Sequence, residues 1–505
     1  MAAQYFAAPA GTAAGNGTMS NPWNLATALN QPPGLLPGDT LWLCGGIYTG
    51  FFTSNLNGSA GWYIFVLQYP GERAIIADNR QFASGATLQV NGSYTVYKDF
   101  EITNTHTSRN PAGAASFRPM GLQVQAPETK FINLVIHDAG HGFGFWKEAV
   151  NAEIYGCIIY NCGTANLPGV YQTHGHGIYA QNDNGTKTIK HNIIFNQFGF
   201  GLHLYPNPGN IKGFNISGNT LFNNGVLTGD TVRYNNILAN VYTPYAAERV
   251  SVVQNCTYDS RSFYQYNSLF QADVFLGATD VNSKKLTVSD NYFMGNGRAG
   301  LAIFRWDSVT ASGNTTFYRS NGSVGFLLAP GGTNTAHNWN NNMYYGASNP
   351  LQFSYQGGTL THFNNWKTAT GFDAGSSFQD TTPSGTKIFI QPNVYEPGRA
   401  NIIVYNHDSL PGVNIDLSAT GLTNGQSFRI HDAQNFFGSP LVSGVYSSAS
   451  PIVHVSVTGF TTAAPAGMAA LPQTAPKFIA LVVLPAGTVT GVNTTRLPVF
   501  GVSVY

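Results

Sequence analysis

The sequence predicts an all-β protein that begins with a parallel β-helix and ends with an antiparallel β-sandwich. Three observations lead to this prediction. An asparagine-centred motif recurs at intervals of 23 to 36 residues, and beyond residue 372 it gives way to alternating strands separated by turn sequences. Only 9% of the residues are charged, whereas about 25% are charged in typical soluble proteins. Because helical surfaces depend on Lys and Glu, this low charge argues against a helical protein.

The repeat is an asparagine, or once a cysteine, followed three residues later by a large apolar or aromatic residue. Runs such as KHNIIF and SGNTLF surround it, bounded by Gly, Asn and Ser, as is typical of short strands. Stacked coils place equivalent residues about 4.8 Å apart, where amide side chains hydrogen-bond along the stack. The motif therefore predicts a β-helix with an asparagine ladder, whose positions are Asn133, Cys157, Asn192, Asn219, Asn255, Asn291, Asn314 and Asn342.

Residues 5–51 supply a cap for the first coil. They contain an aromatic strand, the turn GTMSNPW, an Ala/Leu helix over residues 24–30 and a strand over Thr40–Leu43. A cap is physically required, because an open end would expose unpaired backbone. This opening resembles the N-terminus of the secreted pectate-lyase-like family of right-handed parallel β-helix proteins. The resemblance implies a right-handed helix, polysaccharide lyase or glycoside hydrolase activity, and export with a signal peptide already removed.

A second strand recurs in each coil and begins with glycine, as in GIYAQND (177–183) and GLHLYPN (201–207). Side chains alternate between the two faces of a strand. This alternation points Leu122, Phe143, Ile178, Leu202 and Leu301 inward, and Gln123, Gly144, Tyr179, His203 and Ala302 outward. An insertion-like segment at residues 162–175 precedes the outward face, and long turns of this kind commonly build the walls of a cleft.

Two domains follow from these patterns. Residues 1–372 are the predicted right-handed parallel β-helix with its N-terminal cap, and they would carry the activity. Residues 388–505 contain alternating strands at roughly 12–25 residue spacing, separated by turn signals, and predict a β-sandwich. This part resembles the accessory sandwich domains of secreted carbohydrate-active enzymes, and a structural role is expected for it.

Composition excludes several partners. The 24 basic and 23 acidic residues nearly balance, and no basic block exists, so nucleic acid is not expected to bind. No apolar stretch reaches 18 residues, so membrane insertion is not expected. The four cysteines show no metal-ligand spacing and are predicted to be buried, unpaired thiols.

The outward positions of the second strand form a stripe of aromatic, amide and charged side chains across successive coils. Aromatic rings pack on sugar C–H faces, while amides and charges bond hydroxyls, so the stripe predicts a saccharide groove. The alternative is a β-helix surface that binds no ligand. The predicted sugar platforms are Trp146, Tyr179, Tyr205 and Trp306, and the predicted polar contacts are Lys147, Gln181, Arg305, Asp307, His141 and His174.

Glu148 and Asp183 are the predicted catalytic pair. They lie six residues after Gly142 and Gly177, which start the recurring strand in neighbouring coils. Equivalent positions on adjacent coils bring carboxyl groups within about 5–9 Å, a range that covers both glycosidase mechanisms. Two close carboxylates also differ in proton affinity, which supplies one acid and one base. Alternatively, these turn carboxylates cap backbone amides or bind Ca²⁺.

Histidines form the second candidate site. GHG at 140–142 and HGHG at 174–177 precede the outward strand on consecutive coils, so His141, His174, His176 and His203 are expected to cluster. Imidazoles there would act as a general base or bind a metal, or they would be structural parts of the turns. We predict that His176 and His203 tune or replace one of the catalytic carboxylates.

These observations predict a secreted carbohydrate-active enzyme, a glycoside hydrolase that cleaves a neutral or weakly acidic polysaccharide. The charge balance and the carboxylate spacing favour hydrolysis over elimination. One alternative is a polysaccharide lyase or C5-epimerase acting on a uronate polymer, with Lys147 and Arg305 near the carboxylate and Ca²⁺ on Asp183 or Glu148. Another is a non-catalytic glycan-binding or structural β-helix. No cofactor besides this Ca²⁺ is expected, and the oligomeric state stays open.

Overall fold

The structure, a computed structural model of the 505-residue chain, describes most of the sequence. The described residues are 2–81, 83–109, 118–165, 175–207, 209–227, 235–260, 272–295, 299–318, 326–329, 336–346, 353–355 and 361–485. Within them the chain coils through three parallel sheets, which we call sheets 1, 2 and 3 in the order that each coil visits them. The predicted parallel β-helix is confirmed.

Each sheet pairs strands of successive coils. Sheet 1 contains Gln4–Thr12, Thr40–Leu43, Ile64–Gln68, Thr95–Lys98, Thr129–Ile132, Glu153–Tyr155, Lys187–Lys190, Ile211–Ser217, Ala247–Val253, Ser283–Ser289, Trp306–Ser312 and His337–Asn340. Sheet 2 contains Gly46–Thr49, Ala74–Asp78, Glu101–Asn104, Val135–His137, Ile158–Tyr160, Ile193–Phe195, Thr220–Phe222, Cys256–Tyr258, Tyr292–Met294, Thr315–Tyr318, Met343–Gly346 and Ser377–Gln379. Sheet 3 contains Phe52–Ser54, Ala86–Val90, Met120–Val124, Phe143–Phe145, Ile178–Ala180, Leu202–Leu204, Ile237–Asn240, Ala272–Gly277, Ala299–Phe304, Phe326–Ala329 and Phe353–Tyr355.

The asparagine ladder occupies the turn between sheets 1 and 2. From Asn192 to Asn314, each backbone N–H and each Nδ2 donates to the Oδ1 of the next ladder residue, at 2.8–3.2 Å. The Nδ2 groups also donate to carbonyls of the preceding coil at 2.8–3.0 Å. Ser376 and Asp373 end the ladder by accepting from Asn342. Buried amides are therefore satisfied coil by coil.

Asn133 does not belong to this ladder, which corrects one predicted position. Val135 pairs with Ile158, so Leu134 is the residue equivalent to Cys157. Asn133 instead adopts a positive φ of 55°, and its amide accepts from Asn393 in the C-terminal domain at 2.7 Å. The spacing misled the prediction because Asn133 is offset from the ladder by one residue. Cys157 does join, since its N–H donates to Asn192 Oδ1 at 2.9 Å.

Sheet 3 has the register that its alternation predicts. Phe143 pairs with Ile178 and Ile178 pairs with Leu202, and all three side chains are buried in the helix interior. On the outer side, Tyr179 pairs with His203. Residues 35 and 24 positions apart in this part of the chain thus become neighbours on one face.

The N-terminal cap matches its prediction. The helix spans Leu25–Leu29, and the Asn24 side chain caps it by accepting from the Thr27 N–H at 2.8 Å. The strand Thr40–Leu43 has the predicted bounds and pairs with Gln4–Thr12.

The C-terminal domain is antiparallel. Its five-stranded sheet contains, in spatial order, Thr386–Pro392, Ala400–Asn406, Phe478–Pro485, Ser427–Asp432 and Val442–Val445, and a second sheet pairs Gly412–Asp416 with Ile452–Ser456. Short 3₁₀ turns lie at Leu417–Thr420 and Ala433–Asn435. The parallel pairing continues past residue 372 to Ser377–Gln379, after a helix at Phe363–Thr370. The antiparallel pairing begins at Thr386.

The C-terminal domain covers the outer face of sheet 2. The aromatic residues three positions after the ladder point outward and stack, with ring centroids 5.1 Å apart for Tyr160 and Phe195 and 4.8 Å apart for Phe195 and Phe222. Phe478 of the five-stranded sheet packs on Phe222 at 5.0 Å and on Tyr258 at 4.6 Å. The aromatic residues of the repeat therefore form the helix side of an interdomain interface, and the C-terminal domain buries their apolar surface.

A buried charged cluster joins the same two domains. His137 lies 3.0 Å from a Glu101 oxygen and 2.7 Å from an Asp138 oxygen. Asp138 also pairs with Arg109, and both contact the backbone of Ala466 in the C-terminal domain. Burial alone would lower the pKa of His137, but the hydrogen bonds and charges of the two carboxylates raise it to about 9.

All four cysteines are unpaired, as predicted, but only Cys157, Cys162 and Cys256 are buried, and Cys44 is half-buried. No helix in the described part of the chain is long and apolar enough to cross a membrane.

The ladder predicts a large effect for one buried amide. Replacing Asn255 with Ala removes the acceptor of the Asn219 N–H, one of the two acceptors of Asn219 Nδ2 and one of the two donors to Asn291 Oδ1, so we expect a loss of about 3 kcal/mol in unfolding free energy. Denaturant unfolding measures this. The control Asn338→Ala changes an exposed amide of sheet 1 and should stay within about 0.5 kcal/mol of the native protein. Equal effects in the two variants would contradict the ladder's role.

The charged cluster predicts a pH-dependent stability. The pKa of His137 is about 9 in the folded chain, above its ordinary value of 6.5, so protonated His137 stabilises the fold. This stabilisation is complete below about pH 6.5 and is lost as the pH rises through about 9. Thermal unfolding between these values should show a falling Tm in the native protein and a flatter profile in His137→Gln. Parallel profiles would show that His137 is not the titrating group.

Candidate functional site

A cleft of about 670 Å³ opens on the outer face of sheet 3. Its centre is formed by three successive coils, because the strands Phe143–Phe145, Ile178–Ala180 and Leu202–Leu204 pair in register, and residues of neighbouring coils on both sides, such as Arg118 and Leu238, complete the lining. The lining residues that carry chemistry are Arg118, His141, Trp146, His176, Tyr179, His203, Tyr205 and Asn207. Of the predicted site residues, the structure thus brings together His141, Trp146, His176, Tyr179, His203 and Tyr205.

The backbone sets the protonation of the cleft histidines. His141 Nδ1 accepts from the His176 N–H at 3.0 Å and from the Gly175 N–H at 3.3 Å. His176 Nδ1 accepts from the Phe200 N–H at 3.1 Å. A backbone N–H can only donate, so each Nδ1 carries a lone pair and each ring proton sits on Nε2. Both imidazoles are therefore held neutral.

The same reasoning assigns the ring proton of His203. His176 Nε2 and His203 Nδ1 are 3.1 Å apart, and because His176 carries its proton on Nε2, His176 donates and His203 accepts. His203 then also keeps its proton on Nε2. The two rings meet edge to face, with centroids 4.5 Å apart. The pair is a directed chain of neutral imidazoles that ends in the Nε2–H donor of His203, and such a donor can stabilise negative charge.

Aromatic rings complete the floor. Tyr179 lies 5.1 Å from His203 and 5.6 Å from Trp146, both in edge-to-face geometry. Trp146 fits because position 144 is glycine: a Cβ at Gly144 would lie 3.0 Å from the indole and 2.8 Å from Met120 Sδ. Trp146 Nε1 is buried and makes no hydrogen bond within the described residues. The indole therefore offers a flat apolar surface and an unused donor.

Tyr179 is a proton donor at ordinary pH. Burial raises its pKa to about 12, and its hydroxyl donates to the Asn207 carbonyl at 3.4 Å. Tyr205 stands at the edge of the cleft, and burial raises its pKa as well. Neither phenol ionises near neutral pH.

Arg118 adds a positive charge that sequence reasoning missed. Its guanidinium is buried and donates to the carbonyls of Asn104, His106, Ser108 and Asp138. Burial, and then repulsion from Arg109, lower its pKa to about 9, so it remains a cation at neutral pH. Apart from the histidines and tyrosines, Arg118 is the one ionisable side chain among the described lining residues. The signal that could have identified Arg118 from the sequence was a single Arg just before the strand Met120–Val124, in a part of the chain with few charged residues.

The predicted carboxylate pair stands outside the cleft. Glu148 is exposed and Asp183 is half-buried, on equivalent turns between sheets 3 and 1, and neither lines the cleft. Asp183 Oδ1 accepts from the backbone N–H and the side-chain amide of Asn210, at 2.9 and 2.7 Å. Lys147 and Gln181 also lie off the lining, and Gln181 is buried with its amide donating to the Asn207 carbonyl at 2.6 Å.

The prediction of Trp306 as a sugar platform is wrong. Its side chain is fully buried in the core, and its indole N–H donates to the Leu276 carbonyl at 3.2 Å. Alternation fails here because Arg305 adopts a positive φ of 51°, which turns the chain out of Ala299–Phe304 into the next strand of sheet 1. Arg305 and Asp307 are exposed around this corner, away from the cleft lining. His174 and most of the 162–175 segment lie outside the described residues.

No group of three or more His, Cys, Asp or Glu side chains in the described ranges is placed to hold a metal ion.

No protein-family model and no curated protein matches the chain. It is similar to several solved structures. A pectate lyase shares 16% identity over 67% of this chain and 79% of its own, with a TM-score of 0.40. A GH136 lacto-N-biosidase from Eubacterium ramulus shares 13% over 75% and 68%, with a TM-score of 0.45. A rhamnogalacturonan lyase shares 14% over 75% and 87%, with a TM-score of 0.43. These similarities concern the fold.

The backbone contacts predict the tautomers of two histidines. In protein with ¹⁵N-labelled histidine, His141 and His176 should each show a protonated Nε2 and an unprotonated Nδ1 at neutral pH. Long-range proton–nitrogen NMR correlations measure this, with His141→Gln and His176→Gln variants for assignment. A proton on Nδ1 of either ring would contradict the directed chain.

Proposed function

We propose that the cleft binds an acidic polysaccharide and cleaves it by β-elimination next to a uronate carboxylate. The observation that carries this proposal is the neutral His176–His203 chain, which directs the Nε2–H donor of His203 beside Tyr179 in one cleft. The expected substrate lies outside the cell, in keeping with the expectation of secretion. This proposal replaces hydrolysis by Glu148 and Asp183 as our favoured mechanism.

Charge stabilisation is the first role. Elimination removes the proton next to the carboxylate, which the Tyr179 oxygen would take as its own hydroxyl proton passes to the glycosidic oxygen, and negative charge then grows on the carboxylate oxygens. Preorganised donors in a site that excludes water are a large source of such stabilisation. His203 would donate from Nε2, and the buried Arg118 cation supplies a favourable potential.

Leaving-group protonation is the second role. When the bond from the ring carbon to the glycosidic oxygen breaks, that oxygen needs a proton. The pKa of Tyr179 is about 12, so its hydroxyl stays protonated at ordinary pH. Because its phenolate is less basic than an alkoxide, proton transfer from Tyr179 to the leaving oxygen is favourable. Its ring also packs edge to face with Trp146, which forms the sugar platform.

Hydrolysis has less support from this geometry. A glycosidase needs two carboxylates flanking the bond. The carboxylates of Glu148 and Asp183 stand on the turn, and Asp183 is engaged by Asn210. The described cleft lining offers donors and one cation, which suit an anionic sugar.

The test is turnover by matched variants on a panel of uronate and neutral polysaccharides. We expect the native protein to produce the ultraviolet absorbance of unsaturated uronates. His203→Ala should lower kcat by about 10²–10³-fold through loss of a donor, and Tyr179→Phe by about 10²–10⁴-fold with little change in KM. Glu148→Gln and Asp183→Asn should keep kcat near the native value.

Other outcomes separate the alternatives. New reducing ends without the absorbance, together with inactive Glu148→Gln and Asp183→Asn, would restore the hydrolase prediction. Binding of a uronate oligomer without any product would indicate a glycan-binding protein. No binding across the panel would contradict the proposal.

A further inference from the structure

Lys187 is buried at the corner where sheet 3 turns into sheet 1, and its side chain is fully shielded from solvent. Its Nζ lies 3.0 Å from the carbonyl oxygen of Phe145 and 2.6 Å from that of Gln181, and it also contacts the Trp146 carbonyl. These carbonyls belong to the ends of two neighbouring strands of sheet 3. One amino group thus ties together two successive coils.

The contacts require a positive charge on this amino group. Three carbonyl acceptors need three N–H donors, which an ammonium has and a neutral amine does not. The ring centroid of Phe145 lies 4.2 Å from Nζ, which adds a cation–π contact. Burial lowers the pKa of Lys187 well below its ordinary value, and the carboxylates of Glu148 and Asp183 oppose that shift. The cage and both carboxylates favour the ammonium.

Glu148 and Asp183 lie on the two turns that Lys187 joins, one on each coil. Their negative charges raise the pKa of Lys187 and so oppose the effect of burial.

Lys187 also holds a wall of the cleft. The carbonyl of Trp146 accepts from both Nζ and the Ala149 N–H, which fixes the backbone that carries the indole. The indole in turn packs on Tyr179. Removing the ammonium would release this backbone next to the cleft without substituting any lining residue.

We propose that Lys187 is a positioning residue whose ammonium fills a cation site made of backbone carbonyls from two coils, and so sets the position of Trp146. Only the part that concerns Trp146 and substrate rests on the proposed function. The cation site itself makes a prediction that needs no substrate.

The experiment compares Lys187→Ala with Lys187→Met in the full chain. The Ala variant leaves a cage that n-propylammonium matches in length and charge. We expect a fall of several degrees in Tm and recovery on addition of n-propylammonium chloride, with no recovery from sodium chloride at equal ionic strength. Lys187→Met fills the space without a charge and should show no recovery. The control Lys285→Ala changes an exposed lysine of sheet 1 and should match the native protein under both salts.

If Lys187→Ala is recovered only as insoluble protein, the yield on refolding with and without n-propylammonium replaces the Tm comparison. On the polymer that the native protein cleaves, KM should rise with kcat little changed, and n-propylammonium should restore KM. A native Tm in either Lys187 variant, or equal recovery of both variants by n-propylammonium, would overturn the cation site. Recovery of Tm without any cleavage by the native protein would count against the proposed function alone.

Discussion

The register between successive coils is the constraint on which the rest of the molecule depends. A β-strand pair can slip, and a one-residue slip would turn every inward side chain outward. The ladder from Asn192 to Asn342 opposes slipping, because each amide bonds both to the next asparagine and to a carbonyl of the preceding coil. Only this register places Tyr179 next to His203 on the outer face of sheet 3 and brings His176 within hydrogen-bond distance of His203.

The outer faces of sheets 2 and 3 differ in what covers them. Sheet 2 carries a stack of aromatic rings, and the five-stranded sheet of the C-terminal domain buries it with residues such as Phe478 and Tyr405. The charged cluster of Arg109, Asp138 and His137 adds a polar contact at the same interface. Sheet 3 carries the open cleft. The C-terminal domain is thus part of the helix's packing.

Charge is separated in this molecule according to position. Backbone N–H groups keep His141 and His176 neutral, so the cleft presents uncharged donors beside the single Arg118 cation. The ammonium of Lys187 and the carboxylates of Glu148 and Asp183 lie behind the cleft, at the corner between sheets. A donor-rich cleft attracts anions, while the charges at the corner stabilise the wall of that cleft.

Sequence alone determined the features that repeat locally. Alternation and spacing predicted the β-helix, the inward and outward residues of sheet 3, the capping helix and the cluster of His141, His176 and His203. Tertiary structure decided the rest, because the sequence does not show which corner residues adopt a positive φ, as Asn133 and Arg305 do. It moved Asn133 off the ladder and Trp306 into the core.

The roles of the charged residues also depended on the tertiary structure. Glu148 and Asp183 occupy equivalent positions on neighbouring coils, as predicted. The group whose pKa their charges raise is Lys187, which is 39 and 4 residues away in sequence. Arg118 enters the cleft because four carbonyls from distant turns hold its guanidinium. Spacing shows which residues occupy equivalent positions in successive coils. It does not show which charged groups lie close together, because that depends on how the coils pack.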